Sequence, residues 1–108
     1  MFGLFTKKYQ SLSMEQAKDE LDHNDNIVLV DVRTPEEYRS GHIQGSVNIP
    51  LDSLDAVERK IPDKDSRIFV YCLSGARSRM ACQLMAASGY NDITNIGGIS
   101  SWSYGITR

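Results

Sequence analysis

Two short apolar runs dominate the hydropathy pattern, Ile27-Val28-Leu29-Val30 and Ile68-Phe69-Val70-Tyr71. Both are continuous, not alternating, and both are rich in β-formers. That pattern predicts strands buried on two faces, as in the middle of a parallel sheet. Shorter strand candidates are Tyr9-Gln10-Ser11, Val47-Asn48-Ile49 and Asp92-Ile93-Thr94-Asn95.

Helical spacing fills the intervals. Met14, Ala17 and Leu21 share a face behind a capping box of Ser13 and Gln16. Thr34 followed by Pro35-Glu36-Glu37 has the chemistry of a helix start: a capping hydroxyl, a proline in the first turn, then acids. Leu54, Val57 and Ile61 predict a segment that Pro62 ends. Ser78 is read as opening a longer helix with Ala81, Leu84, Met85 and Ser88 on one face, stopped by Gly89. Ile99, Trp102 and Ile106 predict a last short helix after Gly97-Gly98. The alternation of strands and helices points to an α/β domain, with a mainly parallel sheet and helices on both faces.

Composition narrows the classes. At 108 residues the chain suffices for one domain, and its 41% hydrophobic and 24% charged residues are ordinary for a soluble protein. A net charge of −2 gives no footing for nucleic-acid binding, and no apolar run is long enough for a membrane span. The lysines of Met1-Phe2-Gly3-Leu4-Phe5-Thr6-Lys7-Lys8 follow the apolar residues, the reverse of a secretory signal, so a cytoplasmic location is expected. Residues 1–8 are read as an N-terminal extension and 9–108 as a single domain. The two cysteines, Cys72 and Cys82, are separated by nine residues, with His23 and His42 far off in sequence. That spacing predicts neither a disulfide scaffold nor a metal site, and no cofactor is called for.

The chemistry concentrates in Cys72-Leu73-Ser74-Gly75-Ala76-Arg77-Ser78. A strand delivers a thiol to a tight loop, and a helix begins where the loop ends. Ligands in such sheets bind at the C-terminal ends of strands. Gly75 lets successive N–H groups converge, the helix dipole favours an anion, and Arg77, with Arg79 near it in sequence, adds positive charge; all three lower a thiol pKa. Cys82, in the helix interior, is read as a core thiol. Glu36 and Glu37 are adjacent and diverge on a helix, so they are read as helix-start charge and not as an acid/base pair.

Four pieces carry a resemblance: Asp31-Val32-Arg33 with Glu36-Glu37-Tyr38; Gly41-His42-Ile43-Gln44-Gly45-Ser46-Val47-Asn48-Ile49-Pro50; the Cys72 to Ser78 loop; and Gly97-Gly98 with Trp102 and Gly105. In this order and spacing the chain resembles the single-domain rhodanese family of sulfurtransferases. The resemblance implies a five-stranded mainly parallel sheet, Cys72 as nucleophile, and Leu73, Ser74, Gly75, Ala76, Arg77 and Ser78 as the substrate-binding loop. It implies ping-pong transfer of a sulfane sulfur from a small donor (thiosulfate, a persulfide or a polysulfide) to cyanide or a thiol through a Cys72 persulfide. A protein sulfur donor or acceptor is a further partner it allows, and a dedicated relay or binding module is the alternative reading. Asp31 and Arg33 are implied to support the loop, more as a structural ion pair than as catalysts; His42 and Trp102 are read as structural. Phosphatases with a Cys-to-Arg loop place five residues between the two, and here four intervene, which favours sulfur over phosphate or arsenate chemistry. Many family members carry a basic residue after the cysteine. Leu73 stands there instead, and thiosulfate is therefore expected to be a weaker donor than a persulfide or polysulfide.

Overall fold

The computed structural model describes residues 8–108, so the extension assigned to 1–8 lies, but for Lys8, outside the described residues. Five strands form one sheet: β1 (Gln10–Ser11), β2 (Ile27–Asp31), β3 (Val47–Asn48), β4 (Arg67–Cys72) and β5 (Asp92–Gly98). The order is β1-β5-β4-β2-β3 and every pairing is parallel. The two apolar runs form β2 and β4, two of the three inner strands, paired from Ile27 opposite Arg67 to Asp31 opposite Tyr71.

Alternation along these strands builds two cores. Val30, Ile68, Val70 and Cys72 face Ala81, Cys82 and Met85 of α4 (Ala76–Ala87), with Val57 of α3 (Val57–Lys60) and Ile61 just after it. Leu29, Phe69, Tyr71 and Ile96 face Met14 and Ala17 of α1 (Met14–His23). Helices thus cover both faces, as a sheet without a polar face requires.

Local capping signals form as expected. The Ser13–Gln16 box closes with bonds of 2.9 and 3.1 Å. Thr34 and Glu37 close a second box at the start of α2 (Pro35–Ser40), at 2.9 and 3.2 Å. Other boundaries shift. The segment around Leu54 is a 3₁₀ stretch, Leu51–Ala56, leading into the single turn of α3. α4 starts at Ala76, two residues before the expected Ser78, because Gly75 adopts φ 109° and turns the chain directly into the helix.

The predicted last helix is corrected. A short 3₁₀ helix, Ile99–Ser101, does follow Gly97-Gly98, which end β5, but it stops before Trp102 and does not reach Ile106. Trp102 is extended, its indole Nε1 donates to the Gly105 carbonyl at 2.8 Å, and Thr107 then pairs with His42 in both directions at 2.8 Å. Ile106 is exposed, so its helical spacing from Trp102 marks no buried stripe.

β5 carries one irregularity that matters to the site. Val70 pairs with Asn95 but Tyr71 pairs with Gly97, which leaves Ile96 as an extra residue. The bulge sets Gly98 opposite Cys72. A Cβ on Gly98 would stand 2.2 Å from the Leu73 carbonyl oxygen and 2.6 Å from Ser74 Cα, so no side chain fits between β5 and the thiol loop.

Candidate active site

Cys72 is the last residue of β4, with its side chain on the α4 side of the sheet and only 1% of the residue exposed. Leu73 and Ser74 are exposed, and the loop then turns at Gly75. The Gly75 N–H donates to Sγ at 2.9 Å, and the thiol lies 3.5 Å from Ser78 Oγ. Ser78 is fully buried, and its hydroxyl is 2.7 Å from Asn95 Oδ1 and 3.0 Å from the Gly75 carbonyl. Asn95 Oδ1 is itself oriented by the Gly97 N–H at 3.0 Å. A donor chain therefore runs from the Cys72 thiol to Ser78 and on to Asn95. When the thiol ionises, the first link is lost and the Ser78 hydroxyl is free to turn its proton toward the sulfur.

The electrostatics follow from this geometry. Burial pushes the Cys72 pKa up, but the Ser78 hydroxyl and the N–H groups of Ser78, Gly75 and Ser74 outweigh it, and the thiol titrates below its ordinary value. Cys82 is also buried, lacks such donors, and is pushed up to about 12 by burial and by the nearby Cys72 charge. Iodoacetamide is expected to alkylate Cys72 with a pH midpoint below that of a free thiol and to leave Cys82 untouched in the folded protein. Rates followed by peptide mass mapping check this; a Cys72 midpoint at or above the free-thiol value contradicts it.

The other residues singled out in the sequence divide into two groups. Ser74, Gly75 and Ser78 converge on the sulfur, whereas Ala76 contributes backbone at the first turn of α4. The Arg77 guanidinium forms a bidentate pair with Glu37, Nη1 to Oε1 at 2.8 Å and Nη2 to Oε2 at 3.0 Å. The Arg77 hydrogen bond, against burial and with help from the Thr34 N–H and hydroxyl, holds the Glu37 carboxyl well below the usual range, at about 2. Asp31 is fully buried and Arg33 nearly so. Arg33 Nε donates to both Asp31 oxygens at 3.0 Å, while Nη2 reaches Asp31 Oδ2 and the Gly41 carbonyl, each at 2.7 Å. The pair closes the end of β2 beside the site and ties it to the turn after α2. His42 stacks on Tyr38 with ring centroids 3.7 Å apart and bonds the Tyr38 carbonyl.

Three contributors carried no local signal. Ser100 holds the Leu73 carbonyl through its N–H (3.3 Å) and hydroxyl (3.1 Å), and Asn95 orients Ser78. Glu37 has a cap signature but nothing that announces Arg77. Among the described residues no group of three or more His, Cys, Asp or Glu side chains is arranged to hold a metal ion, and no helix is long and apolar enough to cross a membrane.

Comparison with known proteins places the chain in a family. The family model described as a rhodanese-like domain matches residues 13–104. The thiosulfate sulfurtransferase PspE of Escherichia coli (strain K12) is 38% identical over 71 residues, covering 65% of this chain and 68% of that protein. The thiosulfate:glutathione sulfurtransferase of Saccharomyces cerevisiae is 35% identical, covering 86% of this chain and 77% of that protein. A solved structure described as rhodanese with anions from E. coli superposes with a TM-score of 0.71 at 32% identity, over 76% of this chain and 98% of that one.

Proposed function

This chain belongs to the rhodanese-like domain family, and we propose that it is a sulfurtransferase whose Cys72 carries the sulfur as a persulfide. The observation that carries the proposal is the Gly75 N–H at 2.9 Å from Sγ, with Ser78 Oγ beside it, on a thiol whose pKa is lowered. We take the domain to span 9–108, preceded by the 1–8 extension, and the site to comprise Cys72 and the loop from Leu73 to Ser78, braced by Asp31 and Arg33.

In the first half-reaction the Cys72 thiolate attacks the outer sulfur of the donor. A new S–S bond forms, the donor's own S–S bond breaks, and its electron pair leaves on sulfite or on a thiolate. Cys72 becomes a persulfide anion. The loop N–H groups are preorganised for negative charge at this position, so its formation needs little rearrangement. In the second half-reaction cyanide or a thiolate attacks the outer sulfur, and the electron pair returns to Sγ. Thiocyanate or a new persulfide leaves, and no oxidant or reductant is consumed.

The two relatives named above make thiosulfate and glutathione the first donor and acceptor to test. Purified protein treated with thiosulfate or with glutathione persulfide is expected to gain about 32 mass units, one sulfur, and to lose them on adding cyanide or glutathione. Absence of the adduct with every sulfane donor overturns the proposal. An adduct that discharges only to a protein would favour the dedicated relay.

A further inference from the structure

We infer that Glu37 sets the donor preference of this site, by engaging Arg77 in an internal ion pair so that persulfides of low charge are favoured over dianionic thiosulfate. The inference rests on the sulfur-transfer reading above. Arg77 is the cation that the thiol loop itself supplies, yet both of its terminal nitrogens are taken by the two Glu37 oxygens. Glu37 is not free to swing aside. Its Oε1 also accepts from the Thr34 N–H at 2.9 Å and the Thr34 hydroxyl at 3.1 Å, so moving the carboxylate off Arg77 would break its half of the capping box.

The cleft beside Arg77 adds to this. It is lined by Val32, Thr34, Pro50, Leu51, Asp52 and Arg77. Arg77 there is paired with Glu37, Asp52 adds a second carboxylate to the lining, and the residue after the nucleophile, Leu73, is exposed and apolar. A donor with two negative charges meets more repulsion at this mouth than one with a single charge beside the sulfur. Arg79, two residues further along α4, is exposed, and its Nη1 lies 3.9 Å from where a Cβ on Gly75 would stand, so it is a second cation at the loop. Its charge is the same in the Glu37 and Arg77 variants below, so its effect cancels in ratios between them.

The test measures the efficiency of sulfur loading from thiosulfate and from the persulfide of a small uncharged thiol. Glu37→Gln keeps the hydrogen-bonding groups of the capping box and removes the charge. In this variant the thiosulfate-to-persulfide ratio is expected to rise roughly tenfold, and thiosulfate loading to fall more steeply with added salt. Adding Arg77→Gln to Glu37→Gln should erase both changes. In Arg79→Gln, which removes that exposed cation and leaves Glu37 and Arg77 in place, thiosulfate loading should stay level or rise with salt. A falling salt dependence there, or an unchanged ratio in folded Glu37→Gln, overturns the role of Glu37 and leaves sulfur transfer standing. Failure of both donors to load the unmodified protein overturns the sulfur-transfer reading, and this inference falls with it.

Discussion

Cys72→Ser is expected to abolish sulfur loading, with the mass adduct gone and turnover reduced by roughly a thousandfold or more. The oxygen is smaller and far harder to ionise, and it cannot form the persulfide. The loss should be chemical and not conformational. The residue is fully enclosed, but serine keeps the volume nearly constant and still finds the Gly75 N–H and Ser78. Near-equal thermal midpoints for the two proteins would establish this. Cys82→Ala supplies the comparison: Cys82 is buried and pushed up to about 12, so the adduct should survive its removal. Loading retained in Cys72→Ser would relocate the chemistry to another group and defeat the proposal.

Arg33→Met should cost about 3–5 kcal/mol of folding stability, the usual consequence of removing one partner from a buried ion pair. Met retains most of the apolar stem, so the loss reports the stranded Asp31 carboxylate and the Gly41 carbonyl, which Arg33 now serves. A domain of this size has only about 5–15 kcal/mol in total, so the variant should sit near its folding threshold. Denaturant titration measures the change. Pairing Arg33→Met with Asp31→Leu should recover much of it, because no charge is then left buried without a partner. A cost under about 1 kcal/mol for the single variant would mean that water or another donor reaches Asp31. Activity per folded molecule separates bracing from catalysis. A structural pair lowers the amount of folded enzyme and leaves the alkylation midpoint of Cys72 in place.

The sequence was most readable where a signal acts over a few residues. The Ser13–Gln16 and Thr34–Glu37 boxes, the two central strands and the turn at Gly75 each depend on neighbours close along the chain, and each formed where the local pattern placed it. The final segment was misread for the same reason. Ile99, Trp102 and Ile106 have helical spacing, but spacing predicts a helix only if a core receives the stripe. Ile106 faces solvent, and the chain instead turns back to pair Thr107 with His42. Glu37 was half legible: its capping role followed from Thr34, whereas its partner Arg77 lies 40 residues away.

What the sequence determined alone is the α/β alternation and the placement of Cys72, the proposed nucleophile, at a strand end before a glycine turn and a helix. Periodicity, capping and turn chemistry are local, so they can be read without knowing what packs where. Only the tertiary structure decided what surrounds that thiol. The parallel sheet brought Asn95 to Ser78, Ser100 to the Leu73 carbonyl and Glu37 to Arg77. Desolvation and ion pairing exist only once such distant segments are packed together. For that reason the pairing of Arg77 with Glu37 could not be read from the thiol loop by itself.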